Sequence, residues 1–351
     1  MRIYSSRVLA ALVPALICVS GSAQAQVSQF LKPVSLTSQS FTSSSYYADE
    51  SGGQSVTAGA ATQSAGSCGS CQNTCECIGN WRDNTQVWFG ADAYKSIGDA
   101  AQPLRSATGF MNSAGVVSGF NTGFRLGQSR VRGQIGASYG IYDLKGRDTA
   151  SPSSSEQQTF VTFGFSKRSD ILHDDRISWG LVYDQFFGHQ WGLFGNEVYL
   201  SQVRGIMGYA LNECNEIGVW GTFHANNDAS VVNVGPVRAS NQANAYWRHN
   251  WDFGGSTMAY VGGVDRADIG NWLVGVLGQA PLSDNVSLYA NTTFAFPSSK
   301  TGIVGSNELE WNFGLGLMYS FGGKAVSPSV SGQQGLPLLP VANNGSMLIT
   351  N

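Results

Sequence analysis

The chain's cysteines and histidines are the residues best suited to covalent or metal chemistry. Six cysteines are present: Cys18, then Cys68, Cys71, Cys75 and Cys77 in a Cys-x2-Cys-x3-Cys-x-Cys run, and Cys214 far downstream. Four thiols this close together can ligate zinc or an iron–sulfur cluster, can oxidise to disulfides in an exported segment, or can stay unpaired. There is one Cys-x2-Cys and no second at zinc-ribbon spacing, so Cys68, Cys71, Cys75, Cys77 and Cys214 are disulfide candidates and no metal is expected. Without Cys18 an odd number remains, which makes a link from Cys214 to the cluster one option. The histidines are His173, His189, His224 and His249. No nucleophile elbow, zinc-protease helix, phosphate loop or dinucleotide fingerprint accompanies them. His249, between Trp247 and Trp251, could serve a serine–histidine hydrolase, but no serine can be assigned to it. No catalytic residue, cofactor or enzyme activity is expected.

The remaining chemistry lies in charges, and their placement follows a rule. Asp92, Arg125, Arg132, Asp184, Arg204, Glu216, Arg248 and Glu310 all fall on one parity of segments that alternate apolar and polar, as does His224. Val116, Phe120, Phe124 and Leu126 share the other parity of one segment, and Leu309, Trp311, Phe313, Leu315, Leu317, Tyr319 and Phe321 that of another. Period two means β-strand. Segments of this kind lie near 85–94, 115–126, 130–143, 157–166, 177–186, 198–211, 216–225, 241–251, 256–265, 271–282, 286–296 and 308–321. Many are longer than the usual strand of about 5–6 residues and suit the roughly 9–11 that cross a bilayer in a barrel. Tight connections at 127–129, 212–215, 252–255 and 283–285 alternate with longer ones near 95–114, 144–156, 187–197, 226–240 and 297–307. The charged turn 167–176 is the one short-side connection that runs long. This alternation belongs to outer-membrane barrels, and an even strand number does too. The expected fold is all-β: an antiparallel up-and-down transmembrane barrel of about 12 strands, with the charged parity facing the lumen. Trp88, Tyr94, Tyr139, Tyr142, Trp179, Tyr183, Tyr199, Tyr209, Trp247, Trp251, Trp272, Trp311 and Tyr319 cluster toward segment ends, as interfacial girdles do.

Composition agrees. Glycine is 44 of 351 residues and charged residues are only 12%, while Phe, Trp and Tyr make up 11%. So few charges with so many aromatics exclude a disordered chain. A net charge of −3 gives no sign of a nucleic-acid partner. Residues 1–25 read as a signal peptide, with Arg2 and Arg7 before an apolar stretch too short to span a bilayer and Ala23 to Ala25 as the cleavage site. Residues 26–67 are a Ser/Thr/Gln-rich linker and 68–80 the cysteine cluster. The barrel is expected over 83–322, and 323–351, rich in Gly, Pro, Ser and Asn, reads as a flexible tail on the periplasmic side.

The signal peptide, the cysteine cluster and the Gly/aromatic strands, notably residues 90–99 and 117–123, resemble uncharacterised outer-membrane β-barrel proteins of the porin type, such as those of planctomycete bacteria. Asn312, Gly314, Leu317 and Tyr319, followed by Phe321, are similar to the assembly signal of such proteins, which usually ends the chain; here about thirty residues follow. The resemblance implies a bacterial outer-membrane location, with membrane lipid and the barrel-assembly machinery as partners. The expected function is a narrow passive channel for small solutes. The alternative is a closed structural barrel that tethers partners through its cysteine-bearing N-terminal segment.

Overall fold

The computed structural model describes residues 81–100, 113–127, 129–144, 155–192, 195–228, 236–265, 270–296, 310–322, 325 and 336–350. The expected signal peptide, the linker and the cluster Cys68, Cys71, Cys75 and Cys77 lie outside the described residues.

Twelve strands close into one antiparallel barrel. They are β1 (Thr85–Lys95), β2 (Ser113–Arg125), β3 (Arg132–Tyr142), β4 (Glu156–Lys167), β5 (Ile177–Trp191), β6 (Asn196–Asn212) and β7 (Asn215–His224), then β10 (Gln242–Asn250), β11 (Ser256–Val264), β12 (Trp272–Pro281), β13 (Val286–Phe296) and β14 (Trp311–Ser320). Two short strands, β8 (Asn227–Asp228) and β9 (Val237–Ala239), occupy the connection between β7 and β10, and β15 (Ile349–Thr350) ends the described chain. Each barrel strand pairs with its sequence neighbours, and β1 pairs with β14 from Gln86↔Ser320 to Lys95↔Trp311 to close the ring. Closure leaves no edge strand with unpaired backbone groups, a condition for crossing hydrocarbon.

The alternation in the sequence becomes an inside and an outside. Phe89 (62% exposed), Leu181 (53%), Met207 (60%), Val219 (57%), Val261 (53%) and Leu317 (52%) point outward from strands around the whole circumference. Asp92, Asn121, Gln134, Gln158, Thr162, Asp184, Gln202, Arg204 and Thr222 point inward and are buried. A water-soluble protein has the opposite arrangement; an apolar exterior around a polar interior suits a barrel bathed in lipid.

Three sequence expectations need correction. Residues 187–197 are not a long connection: β5 and β6 run on as a tall hairpin and only 192–195 separate them. Trp88, Tyr94 and Tyr142 do not join a girdle; they share the inward parity, and Tyr94 and Tyr142 are each 1% exposed in an edge-on contact with ring centroids 5.1 Å apart. The outward Tyr139, Tyr199, Tyr209, Trp247, Trp272 and Tyr319 remain on the outer surface. The third correction is the largest. Residues 336–350 are no solvated tail: Leu338, Leu339, Val341, Met347, Leu348 and Ile349 are all buried among inward side chains of the barrel.

Candidate functional site

The lumen is crossed by the chain's own last segment. At the short-turn end, Arg168, in the β4–β5 turn, donates from Nε to the Leu336 carbonyl (3.1 Å) and from Nη2 to that of Pro337 (2.5 Å). Asn121 and Gln134, on β2 and β3, both donate to the Leu339 carbonyl, at 3.0 and 2.5 Å. Arg204 Nη2 reaches the Pro340 carbonyl (2.7 Å), and the Ala342 amide donates to Thr162 Oγ1 (3.0 Å). Farther along, Gln202 and Gln242 donate to the Ser346 carbonyl at 3.2 and 3.3 Å. At the long-loop end the Ser240 amide donates to the Leu348 carbonyl (2.8 Å), and β15 pairs with β9, which pairs with β8. The segment therefore runs from one mouth to the other.

Its sequence suits that path. Pro337 and Pro340 have no N–H, so neither can leave a buried donor unsatisfied, and their carbonyls accept from arginine. Asn343 builds a turn, its Oδ1 accepting from the Gly345 and Ser346 amides at 3.1 and 2.9 Å, the local side-chain bonding that makes asparagine a turn residue. On either side of that turn, two apolar runs fill the lumen. Val341, Met347 and Ile349 join Phe160, Phe186, Trp191 and Leu200 at the long-loop half, and Leu338, Leu339 and Leu348 join Val182, Ile206, Trp220 and Tyr260. The wall makes room at Gly180, where a Cβ would collide with Leu339 Cδ1.

The charged residues chosen from sequence fall into separate groups. Asp184 and Arg204 form a buried pair (2.9 Å) on adjacent strands, and Asp184 also accepts from Thr162 (2.6 Å) and Gln202 (3.0 Å). Asp92 accepts from Tyr142 (2.8 Å), Asn312 (2.8 Å) and Asn344 (3.4 Å). Asn344 also donates to Gln158 (2.9 Å), and Gln158 and Tyr94 meet Glu156 nearby. Glu216 accepts from Arg248 (2.9 Å), Tyr246 (2.7 Å) and Ser178 (3.0 Å). Glu310, buried, accepts from the Ile97 amide at 3.1 Å. Arg125 and Arg132 face each other directly across β2 and β3 at the short-turn mouth. His224 stands at the long-loop end with Asn241 (3.0 Å) and Arg238, which pairs with Asp265 (2.9 Å). Outside the lumen, Lys167 (2.6 Å) and Arg130 (3.0 Å) fasten the β4–β5 turn through Asp175. Burial works to raise this carboxyl, but the two cations hold it below the usual carboxylate range.

The other sequence candidates are dispersed. Of the assembly-signal residues, Asn312 is buried on Asp92 and Gly314 lies beside Asn291, while Leu317, Tyr319 and Phe321 face outward. Cys214 lies in the two-residue turn between β6 and β7 and is a free thiol among the described residues. His249 Nδ1 donates a hydrogen bond to Asn215 Oδ1 (2.9 Å) and packs edge-on against Trp251. Sequence reasoning missed the uncharged polar wall (Asn121, Gln134, Gln158, Thr162, Gln202) and the segment it holds. The signal for the latter was present as the apolar runs 336–342 and 347–349.

A cavity of about 240 Å³ remains between the segment and the wall. Trp88, Leu277, Met258, Met318 and Tyr289 line it with Arg168 and Arg248, and Leu338 to Val341 cover it.

Among solved structures, the chain is similar to outer membrane phospholipase A from Escherichia coli (10% identity, 67% of this chain and 92% of that one, TM-score 0.40). It is also similar to the NanC porin (8%, 66% and 98%, TM-score 0.38) and to the P. putida toluene transporter TodX (10%, 68% and 90%, TM-score 0.35). At such identities the likeness concerns the fold alone. No curated protein matches the sequence. A family model does match, over residues 84–349, which takes in the whole barrel and nearly all of the segment inside it: the chain belongs to DUF6666, a family of unknown function.

Proposed function

We propose that this protein is an outer-membrane channel for small solutes held shut by residues 336–350. The short-turn end faces the periplasm and the long loops face outward, the usual arrangement for such barrels. The observation that carries the reading is the nature of the contacts across the lumen. A twelve-stranded ring is wider than the eight strands whose own side chains fill the interior. Here the remaining space is taken by a separate segment, held largely by side chains that bond to its backbone, such as Asn121, Gln134 and Arg204. Each of these polar groups can exchange its partner for water. A passive pore that is always open does not suit this lumen. The closed anchoring barrel remains the second reading, favoured by the apolar side chains that fix the segment, each of which contributes about 1.5–3 kcal/mol when fully buried.

Single-channel recording separates these readings. The full chain, folded by the heat-modifiability criterion, is expected to insert into a planar bilayer and stay silent or open rarely. A chain truncated after Gly335 is expected to give stepwise currents. Steady conductance by the full chain overturns the plug, and a folded but silent truncation overturns the channel in favour of the anchoring barrel.

A further inference from the structure

The last strand of the segment inside the barrel is fastened by a small sheet. β9 meets β15 through two residue pairs, Ile349↔Ala239 and Thr350↔Arg238, and meets β8 through two more. The Ser240 amide adds one bond to the Leu348 carbonyl (2.8 Å). Arg238 thus sits on the strand that holds the end of the plug. Among the described residues its guanidinium has two partners. Nη2 donates to Asp265 Oδ2 (2.9 Å), and Nη1 lies 2.7 Å from Nδ1 and 3.2 Å from Nε2 of His224. Its Nε is buried without a partner among the described residues.

The contact with His224 depends on the charge of the imidazole. A neutral ring has one bare nitrogen that can accept from Arg238, whereas a protonated ring has two N–H donors and no acceptor. Protonation therefore sets two cations against each other at hydrogen-bond distance. The carboxylate beside them is already engaged: Asp265 accepts from Arg238, from the Asn241 side chain (2.8 Å) and from the Asn241 amide (3.1 Å). On β6, Gln202 lies opposite His224 and is uncharged, and Arg204, opposite Thr222, is paired with Asp184. On β8, Asp228 stands in register with Val237. His224 itself is held firmly. Its amide donates to Asn241 Oδ1 (2.8 Å), its Nδ1 lies 3.0 Å from the same oxygen, and the next amide, of Ala225, bonds the Ser201 carbonyl (2.9 Å). β9, with two residue pairs on each side, is the element that gives way. We propose that His224 and Arg238 form an acid-released latch, in which protonation of His224 drives Arg238 and β9 away and frees β15. Histidine is the side chain whose ordinary titration falls between about pH 5 and 8, and in the orientation proposed above this latch faces outward and responds to acid outside.

The effect on current rests on the plug reading, whereas release of β15 is a property of the sheet and is read apart from any current. Hydrogen–deuterium exchange over residues 347–350 of the detergent-folded full chain reports that release. Comparing the unaltered chain with His224→Gln at the same pH cancels the intrinsic pH dependence of exchange. The two are expected to exchange alike at about pH 7.5. At about pH 5 the unaltered chain is expected to exchange at least about fivefold faster, the low end of a coupling between two sites. Arg238→Gln removes the second cation, so Arg238→Gln and Arg238→Gln/His224→Gln are expected to exchange alike at both pH values. Equal exchange in the unaltered chain and His224→Gln at about pH 5 overturns the latch, since Asp265 is present in both. A His224 effect undiminished in the Arg238→Gln background overturns it as well. Acid-driven, His224-dependent exchange in a chain that conducts steadily at both pH values supports the latch and overturns the plug, so the two fail separately.

Discussion

Asp184 and Arg204 show what a single pair can report about the state of the lumen. Their side chains are 0% and 3% exposed, and among the described residues the Arg204 guanidinium has only the Pro340 carbonyl besides the carboxylate. In a water-filled pore such a pair contributes about 0–1 kcal/mol, because solvent screens it and rescues whichever partner is left. In a sealed lumen, removing one partner strands a charge and costs about 3–5 kcal/mol. Asp184→Asn is therefore expected to lower stability by the larger amount, measured by urea titration of the detergent-folded chain. Asp184→Asn/Arg204→Gln is expected to recover part of the loss, since no lone charge remains. A cost below about 1 kcal/mol in the single variant identifies a wet lumen and contradicts the closed state.

At the scale of elements, the strands were legible and the plug was not, and the physics differs in the two cases. Each barrel strand separates two solvents, so Phe120 and Asn121 or Val203 and Arg204 must alternate, and that contrast is written residue by residue. The segment 336–350 meets only the lumen and lacks any period. Its prolines, glycine and asparagines match those of a solvated tail, although they are fixed in place by specific bonds. Pro340 presents a carbonyl to Arg204, and Asn344 donates to Gln158. Asp92, Asp184, Arg204, Glu216 and Glu310 are buried, and their groupings were not legible in the sequence, because pairing across strands depends on register. Glycines on the lumen face are in part the seat of the plug. Gly180 is the clearest case, with Leu339 as the nearest atom to a Cβ there. Gly180→Val is expected to unseat the segment without unravelling the strands. Overpacking costs about 1–3 kcal/mol, so the open fraction should rise roughly 5- to 150-fold. Recording open probability in the full chain checks this. An unchanged open probability in a correctly folded Gly180→Val chain would mean that the plug yields locally and does not leave.

For the whole molecule, the direction of entry decides how the lumen was filled. Strand β14 ends at the short-turn mouth, and Ala325 is still there, its amide donating to the Asp284 carbonyl in the β12–β13 turn (2.9 Å). Leu336 then lies at the same mouth on Arg168, and Ile349 reaches the opposite one on Ala239. The simplest path has the segment enter where the last strand leaves off and fasten at the far side as β15 joins β9. A tether supplies such a segment at an effective concentration on the order of millimolar. A synthetic peptide of residues 336–351, added to chains truncated after Gly335, should therefore block their current. Half-block is expected at roughly micromolar to millimolar concentration, since the tether is lost, and only when the peptide is added on the short-turn side. A scrambled peptide keeps the composition but loses the spacing between the Pro340 carbonyl, the Asn343 turn and the β15 pairing, and it should leave the current intact. Block only from the long-loop side would reverse the path and make the β8–β9–β15 sheet the point of entry. Equal block by both peptides would remove the register-specific fit that distinguishes a plug from any apolar peptide stuck in a pore.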